Sequence, residues 1–267
     1  MKGQKMKNSF IRISLVCLLC LLTTVTGCCI NIDNFWPRAE YERTDELNAP
    51  LGPGSTLALE NSVGSINIAG LDVTECNVIA TISVKAPTEE EAQELAEQIK
   101  IELDRDGNTL TVRTEKPRTK KRRSISISFD ITVPKQTALE LESDVSNIQV
   151  SNITEKIKAK TDVGKITCKE ISGDIDLRAD VGTVKVVYSK TAPAACNANI
   201  TTNVGGIDLT TPPNFSAAVD ADTDVGSIRT DLPLTVRGKI GKSLHGTIGS
   251  GEGKLYLRTD VGSIRIR

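Results

Sequence analysis

One short phrase recurs through the chain and limits what it can become. Asp-Val-Gly-Ser-Ile-Arg stands at 224–229 and again at 260–265. Variants stand at Asp162-Val163-Gly164-Lys165-Ile166, Asp180-Val181-Gly182-Thr183-Val184 and Asn203-Val204-Gly205-Gly206-Ile207. Worn copies occupy Ser62-Val63-Gly64-Ser65-Ile66, Asp144-Val145-Ser146-Asn147-Ile148 and Leu244-His245-Gly246-Thr247-Ile248. From 145 onward the valine-equivalent positions fall at 145, 163, 181, 204, 225, 244 and 261, separated by 18, 18, 23, 21, 19 and 17 residues. A phrase at near-constant spacing marks a repeat in which each copy is one supersecondary unit and neighbouring copies bury a common core.

The flanks of each phrase alternate apolar and polar residues, the period of a half-buried strand. The central Gly permits a tight corner, and the preceding Asp or Asn can bond a backbone N–H there. Each unit therefore reads as strand, corner, strand, connector. Units stacked edge to edge at about 4.8 Å would share a narrow core. The expected core residues are Val163, Ile166, Val181, Val184, Val204, Ile207, Val225, Ile228, Val261 and Ile264. An antiparallel sandwich of the same short strands has the same periodicity and stays open at this point.

The repeated Val-Gly-x-Ile words, a lipoprotein-like leader and a helical insertion near the start resemble the bacterial putative-adhesin family of unknown function (the DUF4097 and DUF2807 group). The resemblance covers 56–267. It implies an all-β fold, a β-solenoid resembling a single-stranded right-handed β-helix. It brings no catalytic residues to carry over.

The first residues read as a secretion leader. Lys2, Lys5, Lys7 and Arg12 form a basic start, and Ile13 to Leu22 is an apolar run too short to span a bilayer comfortably. Val25-Thr26-Gly27-Cys28 follows and resembles a bacterial lipobox. By that resemblance Cys28 carries a lipid and becomes the mature N-terminus; an ordinary signal peptide cut nearby, or an uncleaved anchor, is the alternative. The expected organisation is a leader at 1–27, a tether at 28–53 and a repeat domain at 54–267 with a helix at about 88–104. The implied location is the cell membrane or, in a two-membrane bacterium, the outer membrane.

The tether is expected from its polar composition and Pro37, Pro50 and Pro53. Strands are expected at 77–84, 109–114 and 124–133. Thr88 is the expected N-cap of the helix and Glu91 its capping-box partner, with Leu95, Ile99 and Leu103 as one apolar stripe. The helix should cover one end of the repeat stack.

Candidate sites are few. Lys116, Arg118, Lys120, Lys121, Arg122 and Arg123 crowd one segment between two expected strands. Such a cluster attracts anionic headgroups or envelope polymers, although a solvated hairpin tip has the same composition. Without the leader, 33 basic residues become 29 against 34 acidic ones, a net charge of −5, which does not suggest a nucleic-acid binder. The corner acids Asp144, Asp162, Asp180, Asp224 and Asp260 read as corner caps facing water, and no metal site is expected of them. Cys76, Cys168 and Cys196 are far apart in sequence, and Cys168 reads as a small buried hydrophobe. With one His, His245, lacking an evident partner, and no Cys-x-x-Cys outside the leader, zinc is not expected.

No cofactor is implied, and no motif of nucleotide binding, serine hydrolysis or metalloprotease action appears. The expected role is non-catalytic: a lipid-anchored envelope protein presenting a solenoid surface for adhesion or scaffolding. An accessory or sensory protein that binds a partner protein in a stress response, and a carbohydrate-active β-helix enzyme, are the alternatives.

Overall fold

The computed structural model describes residues 39–118, 121–236 and 241–267. The leader, Cys28 and Lys120 lie outside the described residues.

Seven copies of the phrase fold as corners between strands. In β2 (Thr56–Leu71) and β7 (Ala138–Ser151) one long strand passes through the corner. In the others the corner separates β8 (Ile157–Val163) from β9 (Ile166–Ile171), β10 (Ile175–Val181) from β11 (Val184–Tyr188), and β12 (Ala198–Val204) from β13 (Ile207–Thr210). Likewise it separates β14 (Ala217–Val225) from β15 (Ile228–Thr230), and β18 (Gly253–Val261) from β19 (Ile264–Ile266). All seven rungs stack in parallel on both sides of the corner, with phrase aligned on phrase. The fold is an all-β solenoid, and the parallel register excludes the antiparallel sandwich.

The stacking order is not the chain order. β18–β19, last in the sequence, lies between β12–β13 and β14–β15. It is hydrogen-bonded on both sides: Gly205 N–H donates to the Val261 carbonyl and Gly262 N–H to that of Val225, each at 2.9 Å. The intervening chain leaves the stack and returns through β16 (Thr235–Val236) and β17 (Ser243–Ile248). β17 runs antiparallel on β14 and closes that edge. The worn copy at 244–248 is therefore a strand rather than a corner, a correction to the repeat count.

At the other end β5 (Thr109–Glu115) and β6 (Ser124–Pro134) pair with the two halves of β2. β4 (Lys100–Asp106) adds to β5, and β3 (Glu75–Ala86) adds to β6, both antiparallel. β1 (Ala39–Pro50) then pairs with β3 along its whole length. The stretch expected to end the tether is thus an edge strand from Ala39. Its inward positions include Arg43 and Asp45 among Tyr41, Leu47 and Ala49, which broke the apolar alternation. Arg43 donates to the carbonyls of Ala96 and Ile99, at 2.9 and 2.8 Å, and so ties β1 to the end of the helix.

The helix α1 (Glu89–Glu97) is shorter than expected. Thr88 caps it, accepting from Glu91 N–H at 3.3 Å, whereas the Glu91 carboxylate pairs with Arg123 at 2.8 Å and does not close the box. Ile99 and Leu103 satisfied helical spacing from Leu95, but Ile99, Ile101 and Leu103 also alternate as a strand. Pairing with β5 decides for the strand. α1 packs on β1 and β3 and buries Ala92 and Ala96.

Within the rungs the core is aliphatic, with Ile66, Ile148, Ile166, Val184, Ile207, Ile264 and Ile228 in one buried column. Buried aromatic rings sit where the end strands or connectors leave room: Phe129, Tyr188 and Phe215. The phrase valines are not core. Val63, Val145, Val163, Val181, Val204, Val261 and Val225 are between 42 and 61 % exposed, which corrects the expectation for Val163, Val181, Val204, Val225 and Val261.

Candidate binding surface

Each letter of the phrase has a separate task. The buried residue before the Asp or Asn is Thr in four rungs, and its hydroxyl donates to the corner carbonyl of the adjacent rung. Thr161 bonds Ser146, Thr202 bonds Gly182, Thr259 bonds Gly205 and Thr223 bonds Gly262, at 3.3, 3.1, 2.8 and 2.9 Å. The phrase therefore begins one residue before the Asp, a signal readable in the sequence and missed. Gly is required by close approach: a Cβ on Gly182 would lie 1.7 Å from the Gly164 carbonyl oxygen, and one on Gly226 1.7 Å from that of Gly262. The following Ile or Val points into the core.

With Thr, Gly and Ile turned to the interior or the rung interface, the acid and the valine face outward. Parallel register aligns Val63, Val145, Val163, Val181, Val204, Val261 and Val225 on successive rungs. Beside them run Asp144, Asp162, Asp180, Asn203, Asp260 and Asp224. Arg178 pairs with Asp180 at 3.2 Å and Arg258 with Asp260 at 3.7 Å. Asp144, Asp162 and Asp224 make no ion pair among the described residues. One rung away, Lys160 binds Glu142 at 2.6 Å, and that hydrogen bond raises the Lys160 pKa.

The basic segment between β5 and β6 is partly tied down. Lys116 donates to the Ser62 hydroxyl at 2.6 Å and Arg123 pairs with Glu91 of α1. Arg118 shares a shallow hollow with Arg123, Glu91 and Glu94. Lys121 and Arg122 lie in the turn, Arg122 with a φ of 68°. The segment is therefore not a set of equivalent solvated cations.

His245 does have a partner. It stands opposite Asp220 across the β14–β17 pair, with Nδ1 2.9 Å from the carboxylate. These two and Asp222 are the group of possible metal ligands brought together among the described residues; the corner acids are not part of one. Cys76, Cys168 and Cys196 are buried free thiols. Burial pushes Cys76 and Cys168 up to about 12 and Cys196 to about 11, which suppresses thiolate chemistry at neutral pH. A hollow of about 530 Å³ on the connector side is lined in part by Tyr188, Phe215, Leu232 and Pro233.

Among solved structures, a "putative cell adhesion protein" from Clostridium sporogenes is 15% identical, with a TM-score of 0.45 over 84% of this chain and 99% of that one. A "putative adhesin" from Bacteroides fragilis is 14% identical, with a TM-score of 0.43 over 84% and 97%. No curated protein gives a significant match. The family model described as Toastrack DUF4097 matches residues 55–267, most of the chain. The chain belongs to the Toastrack DUF4097 family. The Toastrack match begins at the first rung, so β1 lies before it although its pairing with β3 is complete. Among the described residues no helix of this Toastrack chain is long and apolar enough to cross a membrane.

Proposed function

We propose that this protein is an exported, lipid-anchored component of the bacterial envelope that presents the flank of its solenoid to another envelope component and performs no catalysis. The observation that carries this reading is the seven-rung flank, on which one pattern of outward side chains repeats at every step. A surface of that kind suits extended contact. The apolar run before Val25-Thr26-Gly27-Cys28 supports the anchor, with Cys28 as the lipidated residue. The cations Lys116, Arg118, Lys120, Lys121, Arg122 and Arg123 supply a second, electrostatic contact to an anionic headgroup or polymer.

The test has two arms. Metabolic labelling with a palmitate analogue should mark the parent and leave Cys28→Ala unmarked; equal labelling removes the anchor from the proposal. The purified chain, immobilised, should retain a defined component from envelope extract. Retention of nothing at low salt would end the adhesive reading. Loss of that retention at about 0.5 M salt would show that the contact is largely electrostatic, because screening is then nearly complete.

A further inference from the structure

The valine ridge is more than a by-product of the corner. Three positions before each valine the same wall carries Glu60, Glu142, Lys160, Arg178, Thr201, Arg258 and Asp222, the polar residues expected of a solvated face. The position before each valine is acidic or Asn in six rungs and Ser62 in the first. Any residue that tolerates an extended corner would serve the fold there, yet seven rungs place an isopropyl group in the same half-exposed column. Seven valines at one rung each form a straight aliphatic strip about 29 Å long and one side chain wide. Contiguous exposed apolar surface rimmed by charge marks a contact site.

The shape and charge of the strip select its occupant. It is long, straight and narrow, and a helix of about 20 residues has the same length. One rim carries the acids, of which Asp144, Asp162 and Asp224 make no ion pair among the described residues. The other rim is mostly small and polar: Ser65, Asn147, Thr183, Ser263 and Ser227. We infer that the ridge from Val63 to Val225 is the contact surface for a cationic amphipathic helix of a partner protein, its aliphatic face on the valines and its Lys or Arg residues on the aspartates. Such helices are recognised by apolar anchors on one face, with charge setting orientation. The inference rests on the adhesive reading above and gives that reading a surface and a partner class.

The test uses the full chain and a synthetic helix of about 20 residues with Leu on one face and Lys along one flank. The parent should bind it. Val163→Thr, Val181→Thr and Val204→Thr together should weaken binding about ten-fold or more, because each keeps the β-branched shape and removes an apolar group. The triple variant should keep the parent's thermal transition, which separates lost contact from lost fold. Asp144→Asn, Asp162→Asn and Asp224→Asn together should weaken binding and reduce its salt dependence. A helix with Glu in place of Lys should bind at least ten-fold less tightly. Undiminished binding by the valine variant, or equal binding of the Glu helix, overturns the proposal. So does a valine-dependent dimer seen by sedimentation, or valine-dependent binding to phosphatidylglycerol vesicles. If the parent and the valine variant retain the same envelope component, the ridge proposal fails and the adhesive reading stands; if neither retains one, the adhesive reading itself fails.

Discussion

The two halves of the folded unit are built by different rules. From Ala138 onward ten of the twelve strand pairings are phrase on phrase in parallel, and one six-residue vocabulary supplies corner, interface and core. From Ala39 to Pro134 a single worn phrase in β2 pairs in parallel with β5 and β6, and beyond these lie antiparallel strands, a helix and larger side chains such as Phe129. The repeated half propagates, because each rung is a template for the next. The first half stops the propagation: its outermost strands run antiparallel to their neighbours, and the edge strand β1 carries Glu40, Glu42 and Glu46 on its exposed face. Exposed strand edges invite further pairing, and charge discourages it.

The largest expected effect comes from the last rung. Ending the chain after Gly249 removes β18 and β19 and leaves β12–β13 and β14–β15 without their shared partner. Buried Leu255, Leu257, Ile264 and Ile266 go with it, each worth about 2–5 kcal/mol even as an Ala truncation, against a usual total stability of about 5–15 kcal/mol. We expect no cooperative melting transition by circular dichroism. Starting the chain after Pro50 removes only a half-buried edge strand and should lower the midpoint yet keep the transition. An intact cooperative transition in the shorter C-terminal variant would mean that the rungs can close up in chain order.

Corner glycines sharpen the same contrast. Gly182→Ala forces a Cβ against the Gly164 carbonyl and should cost about 3 kcal/mol or more. Gly54→Ala, in the first half, has open space and a φ of 74°, so it should cost about 1–2 kcal/mol. Equal shifts in urea midpoint would contradict the tight corner.

The threonine column gives a smaller effect of either sign. Thr259→Val leaves the Gly205 carbonyl without its hydroxyl partner and should cost about 1–2 kcal/mol. Ala179 is the buried member of this column with no hydroxyl to offer Gly164. Ala179→Thr should therefore gain about 0.5–1 kcal/mol if the side chain fits the rung spacing. A loss would show that the column is already filled at that rung.

A last effect appears only at alkaline pH. Cys168 is buried as a neutral thiol, with its pKa raised from 9.0 to about 12. A raised folded-state pKa means that the folded chain holds the proton more tightly. Its contribution is complete below pH 9 and is lost as pH rises from 9 to about 12. Cys168→Ala should flatten that alkaline loss while lowering stability at neutral pH through the lost packing. An unchanged alkaline slope would place the titration elsewhere.

Residues alone were enough for the architecture of the repeated half. The Gly-x-Ile spacing gives the corner and the next core residue, and the near-constant period demands stacking. The site was less legible. Valine beside Gly reads as core by composition, and only the geometry of the corner turns it outward, where parallel register makes seven separate residues into one ridge. Asp220 and His245 meet because β17 runs antiparallel on β14, a pairing that no local pattern announces. β1 was hidden by Arg43 and Asp45 on its inward face. The same holds for the order of the rungs. Local sequence specifies each rung and its faces, because side-chain period and corner sterics are local. Identical phrases can pair with one another equally well, so which rung lies beside which is decided by the connectors and the closing strands, and that is settled in the tertiary structure.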